Sequence, residues 1–259
     1  MLEVRSARKV FYKGQADEKV ALDGLDLKLS KGEFGVVIGS NGAGKSTMLN
    51  AISGSMPIDS GSIVINGDDV TNLPAYRRAA RLARVFQDPM KGTAASMTVG
   101  ENMLLADLRS KRRGFGVGLT SSRLAAYRER LAVLGLGLEN RLDTRVELLS
   151  GGQRQSLSLI MATGGSPDLL LLDEHTAALD PRTAEIVMEA TVRTIEALKL
   201  TALMVTHNMQ HAVDYGSTVL MLNAGKLRLA ITGEDKRRVT VADLIGHFAV
   251  KSDRMLLGA

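Results

Sequence analysis

Residues 39–47 have the sequence Gly39-Ser40-Asn41-Gly42-Ala43-Gly44-Lys45-Ser46-Thr47. Glycines at the first and sixth positions, followed by Lys-Ser, form the pattern of a loop whose backbone N–H groups surround a phosphate. The apolar run Phe34 to Ile38 before this loop has the length and β-branched content of a strand, and Met48 to Ile52 after it suits a helix. The sequence therefore predicts an ATP site.

The residue types of this loop divide the work on the triphosphate. The start of the following helix adds a partial positive charge where the anion lies. Lys45 is expected to bridge the β- and γ-phosphates, and Ser46 to ligate Mg²⁺. The alternative is a Gly-rich turn with a chance Lys-Ser pair, and the flanking strand and helix argue against it.

The composition of the chain is that of an ordinary globular protein. Its 259 residues are 45% hydrophobic and 24% charged. No run approaches the ~18 apolar residues of a membrane span, and the N-terminus lacks the apolar region of a signal peptide, so we expect a cytosolic chain. Cysteine is absent, which excludes disulfides, thiolate ligands and thiol catalysis. The four histidines have no close metal-type spacing, which leaves metal binding to Mg²⁺.

The net charge of +5 comes partly from two basic clusters, Lys111-Arg112-Arg113 and Lys236-Arg237-Arg238. Such clusters can lie beside anionic lipid or nucleic acid, but we favour a solvated face for both. Aromatic residues make up only 3% of the chain and Trp is absent, so stacking platforms for single strands are not expected. We therefore predict no nucleic-acid partner.

The N-terminal region is predicted to be β-structure. Residues 2–12 and 20–29 carry alternating apolar positions, which predict two antiparallel strands joined by a loop. Phe11 and Tyr12 end the first strand. One of these rings could stack on an adenine, or it could close the end of the core, and the sequence leaves both open.

The middle of the chain changes from strand to helix patterns. The strand predicted from Leu82 to Phe86 ends at Gln87, an amide well placed to contact Mg²⁺ or the attacking water. From Met90 onward helical spacing dominates. We therefore predict an α/β core formed by residues 1–89 and 164–259, interrupted by a mostly helical insertion, residues 90–163.

A second anion-binding helix start is predicted at Ser150-Gly151-Gly152-Gln153. The serine hydroxyl, the free backbone N–H groups and the helix dipole converge on one point. Alone, Ser-Gly-Gly would be an ordinary helix cap. It gains meaning because the chain already contains one nucleotide loop.

Two carboxylates end a continuous apolar strand. Leu169 to Leu172 is the pattern of a central parallel strand, and Asp173 and Glu174 follow it directly. Paired acids at such a strand end are costly unless a cation and a reaction occupy them. Asp173 fits the Mg²⁺-holding role, and Glu174 fits the base or orienter of attacking water. A strand that merely ends in solvated acids is the alternative.

The next predicted helix and strand add two more polar residues to those found at strand ends and helix starts. Asp180 is the predicted cap of a helix that continues to about Leu198, with Leu198 facing the core. The strand Thr201 to Thr206 ends in His207, whose imidazole could hydrogen-bond a γ-phosphate and Glu174. A lone histidine usually has a structural role, but the position of this one at a further strand end favours function.

Taken together, these motifs resemble the nucleotide-binding subunit of an ATP-binding cassette (ABC) transporter over nearly the whole chain. The matching positions are Gly39 to Thr47 for the Walker A loop, Gln87 for the Q-loop, Leu149 to Gln155 for the family signature, Leu169 to Asp173 for Walker B, Glu174 for the catalytic glutamate, Asp180 for the D-loop and His207 for the H-loop. His175 departs from the pattern, because many members have Pro there, and it is expected to leave the turn less rigid. Phe11 is the adenine-stacking aromatic by its spacing to Gly14, with Tyr12 as the other candidate.

The resemblance implies a fold and an assembly. The fold is a P-loop NTPase core of mixed sheet with flanking helices, an N-terminal antiparallel β subdomain and a helical subdomain. Two copies would face head to tail, with each ATP between residues 39–47 of one copy and residues 150–153 of the other. The implied catalytic residues are Lys45, Gln87, Glu174 and His207, the implied Mg²⁺ ligands are Ser46, Gln87 and Asp173, and Asp180 of the opposite copy would complete the site.

The resemblance also implies partners. These are transmembrane permease subunits and an extracytoplasmic solute-binding protein, with the chain peripheral on the cytoplasmic side of the plasma membrane. The segments Phe86 to Pro89 and Asp173 to Pro181 look most like bacterial importer cassettes paired with amino-acid or branched-chain/ribose-type permeases. Alternatives are an exporter, a lipid- or lipoprotein-extracting complex, or a soluble family member acting on ribosomes or DNA. A single cassette without a heptad run argues against the last.

Overall fold

The computed structural model describes residues 1–109 and 116–247. The basic cluster Lys111-Arg112-Arg113 lies outside the described residues. Within the two ranges, no helix has the length and apolar content needed to cross a membrane.

The described residues form strands and helices in the following order. The strands are β1 (Leu2–Phe11), β2 (Lys19–Leu29), β3 (Phe34–Gly39), β4 (Ser60–Ile65), β5 (Asp68–Asp69), β6 (Leu82–Val85), β7 (Leu169–Asp173), β8 (Thr201–Val205), β9 (Thr218–Asn223) and β10 (Lys226–Thr232). The helices are α1 (Lys45–Ser53), α2 (Ala75–Arg78), α3 (Val99–Asp107), α4 (Ser121–Ala132), α5 (Gly151–Thr163), α6 (Pro181–Ala197), α7 (Met209–Asp214), α8 (Gly233–Arg238) and α9 (241–247). Short 3-10 turns cover Pro89–Gly92, Leu138–Asn140 and Val146–Leu148.

An antiparallel sheet has the strand order β2-β1-β4-β5. Leu2 pairs with Leu29 and Val4 with Leu27, and all four side chains are buried on one face. The alternating apolar pattern in the sequence is the cause, because successive side chains of a strand point to opposite faces. The predicted N-terminal antiparallel subdomain is confirmed.

The second sheet has the order β10-β9-β3-β8-β7-β6. Strands β3, β6, β7, β8 and β9 run parallel, and β10 pairs antiparallel with β9. This is the predicted mixed sheet with flanking helices. The carboxyl ends of β3, β7 and β8 therefore meet at one edge, where the phosphate loop, the paired acids Asp173 and Glu174, and His207 lie.

Both faces of the mixed sheet are covered, which explains the leucine run of β7. Leu169 and Leu171 pack in a core shared with the antiparallel sheet and α1, whereas Leu170 and Leu172 pack in a core with α5, α6 and α7. Each of the four is fully buried. Burial of one such side chain stabilises the fold by about 2 kcal/mol.

A third core lies in the helical segment. Val99 and Met103 of α3 pack with Tyr127 of α4 and Leu157 of α5. Helix α3 begins with a reciprocal capping box between Thr98 and Glu101. Helix α5 also places Leu159 and Ala162 in the core of the mixed sheet. The division into a unit of residues 90–163 and an α/β core therefore stays a prediction.

The end of α6 differs from the sequence prediction. Helix α6 stops at Ala197, and Leu198 follows as its cap, with 48% of its surface exposed. The prediction that Leu198 faces the core is wrong, because helical periodicity no longer directs a side chain once the helix has ended.

Candidate nucleotide site

The phosphate loop folds around its own lysine. The Nζ atom of Lys45 donates to the backbone oxygen of Gly39 at 2.6 Å and to that of Ser40 at 3.0 Å. Burial lowers the pKa of Lys45, and the nearby charge of Glu174 partly offsets this. The ammonium group thus stabilises the conformation of the loop. Phosphate oxygens are stronger acceptors than these two backbone oxygens, so a bound phosphate can replace them.

Gly44 makes the turn into α1 possible. Its φ angle of +102° lies in the left-handed region, and a Cβ atom there would lie 2.5 Å from the backbone oxygen of Ala21. Another residue would be strained and would clash. The backbone N–H groups that begin α1 therefore depend on this glycine.

A cavity of about 450 Å³ opens over the loop. It is lined by Phe11, Tyr12, Lys19, Ala21, Asn41, Gly42, Ala43, Gly44, Lys45, Ser46, Thr47, Glu174 and His207. The structure thus brings together most of the phosphate loop, both candidate aromatic residues, the second strand-end acid and the histidine. Lys19, at the start of β2, was missed by sequence reasoning, because it belongs to no motif.

Glu174 and His207 are in direct contact. His207 Nε2 lies 2.5 Å from Glu174 Oε2, with the glutamate side chain almost buried and the imidazole half-exposed. The backbone of Glu174 has a φ of +46°, and its N–H donates to the oxygen of Val205 at 3.0 Å. Such a conformation costs a non-glycine residue roughly 1–3 kcal/mol and clusters at functional sites.

The other strand-end acid, Asp173, is not among the residues that line the cavity. Asp173 Oδ2 accepts a hydrogen bond from Arg84 Nη2 at 2.5 Å, and both side chains are largely buried. Arg84 comes from β6, and sequence reasoning missed it. The signal was present, since a charged residue in an otherwise apolar strand requires a buried partner.

The predicted Mg²⁺ ligands form a suitable donor set. Ser46, Gln87 and Asp173 offer a hydroxyl, an amide oxygen and a carboxylate, which are the hard oxygen donors that Mg²⁺ prefers. Ser46 and Gln87 are exposed, and Asp173 keeps its second oxygen free of the arginine. Gln87 does not line the cavity over the phosphate loop.

The signature segment lies apart from that cavity. Ser150 caps α5, accepting from the N–H of Gln153 at 3.2 Å, and the Gln153 side chain accepts from the N–H of Ser150 in return. Ser150 and Gly151 are exposed. The Gln153 side chain also bonds to Arg141 and to the backbone of Leu136, so its polar atoms are engaged within its own chain.

Helix α5, which begins with the signature residues and is called the signature helix below, lies close to two other elements. Gln155, which is buried, donates from Nε2 to the backbone oxygen of Phe86 at 3.1 Å, directly before Gln87. A Cβ atom on Gly152 would lie 2.2 Å from the side chain of Thr183 on α6. Sequence reasoning missed the role of Gln155, because its partner lies far away along the chain.

The segment after Glu174 is held by α6. The imidazole of His175 is buried, and its Nε2 lies 3.0 Å from the hydroxyl of Thr191. The sequence predicts a less rigid turn at His175; in the structure this hydrogen bond ties the turn to the helix. Asp180 caps α6 as predicted, accepting from the N–H of Thr183 at 3.1 Å. Hydrogen bonding to the side chain and to the backbone of Thr183 lowers the pKa of Asp180.

The sequence profile of a family described as ABC transporter matches residues 22–177, more than half of the chain. The chain belongs to the ABC transporter family. It is an ABC ATPase, the ATP-binding and ATP-hydrolysing subunit of a transporter.

Known relatives match this ABC ATPase over most of its length. A tyrosine transport ATP-binding protein from Clostridioides difficile is 42% identical over 248 residues, covering 96% of this chain and 98% of that protein. A probable branched-chain amino acid transport ATP-binding protein, LivF, from Archaeoglobus fulgidus is 30% identical over 90% of this chain and 91% of that protein. The family resemblance inferred from the motifs is therefore confirmed.

A solved structure matches the fold of this ABC ATPase. The dimeric ATP-binding cassette MJ0796, in a post-hydrolysis state bound to ADP and phosphate, is 28% identical, with a TM-score of 0.76. The match covers 92% of this chain and 99% of that one. The predicted P-loop NTPase fold and dimeric cassette are confirmed at the level of the family.

Proposed function

We propose that this ABC ATPase powers a bacterial importer of an amino-acid-like solute. The observation that carries this proposal is the 42% identity, over nearly the full length of both chains, to a protein named for tyrosine transport. A relative named for branched-chain amino acid transport adds support. The partners would be permease subunits and an extracytoplasmic solute-binding protein, with this chain at the cytoplasmic face of the membrane.

The working unit would be a head-to-tail dimer of this chain. Ser150 and Gly151 are exposed at the start of a 13-residue helix, away from the chain's own phosphate loop. An exposed hydroxyl and free N–H groups at a helix start favour an anion. Each ATP would lie between the phosphate loop of one copy and Ser150 of the other, with Asp180 of the second copy nearby.

The chain's own residues then divide the hydrolysis. Lys45 exchanges its two backbone acceptors for β- and γ-phosphate oxygens. Glu174 takes a proton as the water oxygen bonds to the γ-phosphorus and the bond to the bridging oxygen breaks, while His207 holds the carboxylate in position. Ser46, Gln87 and Asp173 would hold Mg²⁺, which would supply positive charge for the phosphate oxygens.

Gln87 would transmit the movement that accompanies ATP binding and hydrolysis to the permease. It is exposed at the end of β6, and the hydrogen bond from Gln155 to Phe86 joins this strand end to the signature helix. Movement of α5 against a second copy would therefore pull directly on the residue before Gln87. Movement of this kind can open or close a partner bound at the same surface.

The experiment is transport by the complete complex. The chain is expressed with the permease that copurifies with it, and the complex is placed in vesicles with ATP on the cassette side. Labelled tyrosine, isoleucine and ribose are offered on the opposite side with the solute-binding protein. Accumulation of an amino acid beside the cassette supports the proposal. In a second set of vesicles the same solutes are offered on the cassette side, and their ATP-driven movement away from the cassette would support the exporter alternative instead.

A further inference from the structure

We propose that Arg84 is a positioning residue for the metal site, an internal counter-ion that occupies Asp173 and weakens its hold on Mg²⁺. This inference rests on the proposed role of Asp173 as a Mg²⁺ ligand. Its basis is the placement of a nearly buried arginine against that carboxylate, with Nη2 and Oδ2 separated by 2.5 Å.

Arg84 is held firmly where it stands. Its Nη1 donates to Oδ1 of Asn50 at 2.7 Å, and its guanidinium lies 4.9 Å from the centre of the Phe86 ring. Only 10% of its side chain is exposed. The arginine therefore joins three elements of the site, namely α1 behind the phosphate loop, the end of β7, and the strand that leads to Gln87.

The pair is electrostatically significant because water is largely excluded. The Asp173 side chain is only 16% exposed, so its charge is weakly screened. A fixed cation in contact with a carboxylate lowers the affinity of that carboxylate for a second cation, because both compete for the same negative charge. Mg²⁺ would therefore compete with Arg84 for the charge of Asp173.

The arrangement has a consequence beyond affinity. If the metal draws the charge of Asp173, the bond to Arg84 weakens, and the arginine retains only Asn50 and Phe86. Since Phe86 precedes Gln87 and accepts a hydrogen bond from Gln155, occupation of the metal site would be felt at the end of β6. Arg84 would thus connect metal binding with the segment proposed to face the permease.

The test measures metal affinity separately from catalysis. Mn²⁺ replaces Mg²⁺, and its binding to the full-length chain with a non-hydrolysable ATP analogue is followed by electron paramagnetic resonance. Arg84→Met removes the charge at similar length, and we expect about tenfold tighter Mn²⁺ binding, the size of one modest charge coupling. Nucleotide affinity in the presence of a chelator should remain unchanged, which a general structural defect would not allow.

Further variants serve as controls. Arg84→Gln is a second neutral variant and should shift Mn²⁺ binding in the same direction, whereas Arg84→Lys keeps the charge and should behave like the parent. Arg81→Gln is the matched control, because Arg81 pairs with Asp68 and both are exposed. It should leave Mn²⁺ binding unchanged.

One more variant distinguishes this inference from the proposed function. Asp173→Asn should weaken Mn²⁺ binding if Asp173 is a metal ligand. If Asp173→Asn weakens binding and both neutral Arg84 variants bind Mn²⁺ no more tightly than the parent, the role of Arg84 is overturned while the metal site stands. If Asp173→Asn has no effect, the proposed site itself is wrong, and the inference is overturned with it.

Discussion

His207 and Glu174 meet at the ends of two neighbouring parallel strands, with Nε2 2.5 Å from Oε2. The contact forms because β7 and β8 pair in register, with Asp173 opposite Val205. Glu174, directly after β7, and His207, two residues after the end of β8, therefore lie close together. Glu174 lines the cavity over the phosphate loop, and the contact with His207 fixes the orientation of its carboxylate. In the proposed mechanism this geometry aims the base at water.

Replacing His207 by Ala should therefore reduce turnover more than binding. We expect kcat to fall about 100- to 1000-fold, within the usual contribution of a positioned acid–base group, with the KM for ATP changed little. Steady-state ATPase kinetics measure both. His211→Ala is the control, since His211 lies on α7 with its ring packed against Tyr215. A raised KM with unchanged kcat would assign His207 to ground-state binding instead.

Phe11 is predicted to stack on the adenine. Phe11→Ala should weaken ATP binding by about 1–3 kcal/mol, the value of one base–aromatic stack, and should leave binding of inorganic triphosphate unchanged. Calorimetric titration with both ligands measures the difference. Tyr12→Ala is the matched comparison, because Tyr12 also lines the cavity and is 63% exposed. A larger loss of ATP affinity in the Tyr12 variant would reverse the assignment.

The close approach of α5 to α6 depends on Gly152. Gly152→Ala should lower the free energy of unfolding by about 1–3 kcal/mol, because its methyl group would overlap the Thr183 side chain. Urea denaturation measures the loss. Adding Thr183→Ser removes the overlapping methyl and should restore part of the stability. Gly151→Ala is the control, since its nearest neighbour is a leucine methyl at 3.3 Å. Equal losses at the two glycines would contradict this account.

His175 should make the fold sensitive to acid. Burial, with a smaller contribution from His211, lowers the pKa of His175 from 6.5 to about 3. Below pH 6.5 the unfolded chain takes up a proton that the folded chain excludes, so this contribution to stability is complete above pH 6.5 and declines toward pH 3. The loss between pH 6.5 and about pH 5 should be on the order of 1–2 kcal/mol.

The measurement compares the parent with His175→Gln by denaturant unfolding across this pH range. The variant should be less stable at neutral pH, since it replaces the buried ring, but its stability should fall less on acidification. Both chains keep His211, so the comparison reports the loss of the His175 ring together with its charge interaction with His211. Parallel pH profiles for the two chains would rule out His175 as the source.

The order of motifs was enough to predict the fold and the residues at the sheet edge. Parallel strands carry their loops to a common edge, so Glu174 and His207 could be placed together from sequence spacing alone. The contacts of Arg84 and Gln155 could not, because their partners lie far away along the chain and follow no local pattern. The prediction for Leu198 was wrong for a different reason. The helix ends one residue earlier than predicted, and that single residue decides whether Leu198 lies in the last turn or beyond it.

We propose that two copies of this chain enclose ATP between the phosphate loop of one and Ser150 of the other. Glu174→Gln should bind ATP, fail to hydrolyse it and accumulate as a closed dimer. Sedimentation velocity of this variant with Mg²⁺ and ATP should show a dimer, and with ADP or with an added Ser150→Arg substitution a monomer. A variant that binds ATP yet remains monomeric, or a dimer that is indifferent to Ser150→Arg, would contradict the account.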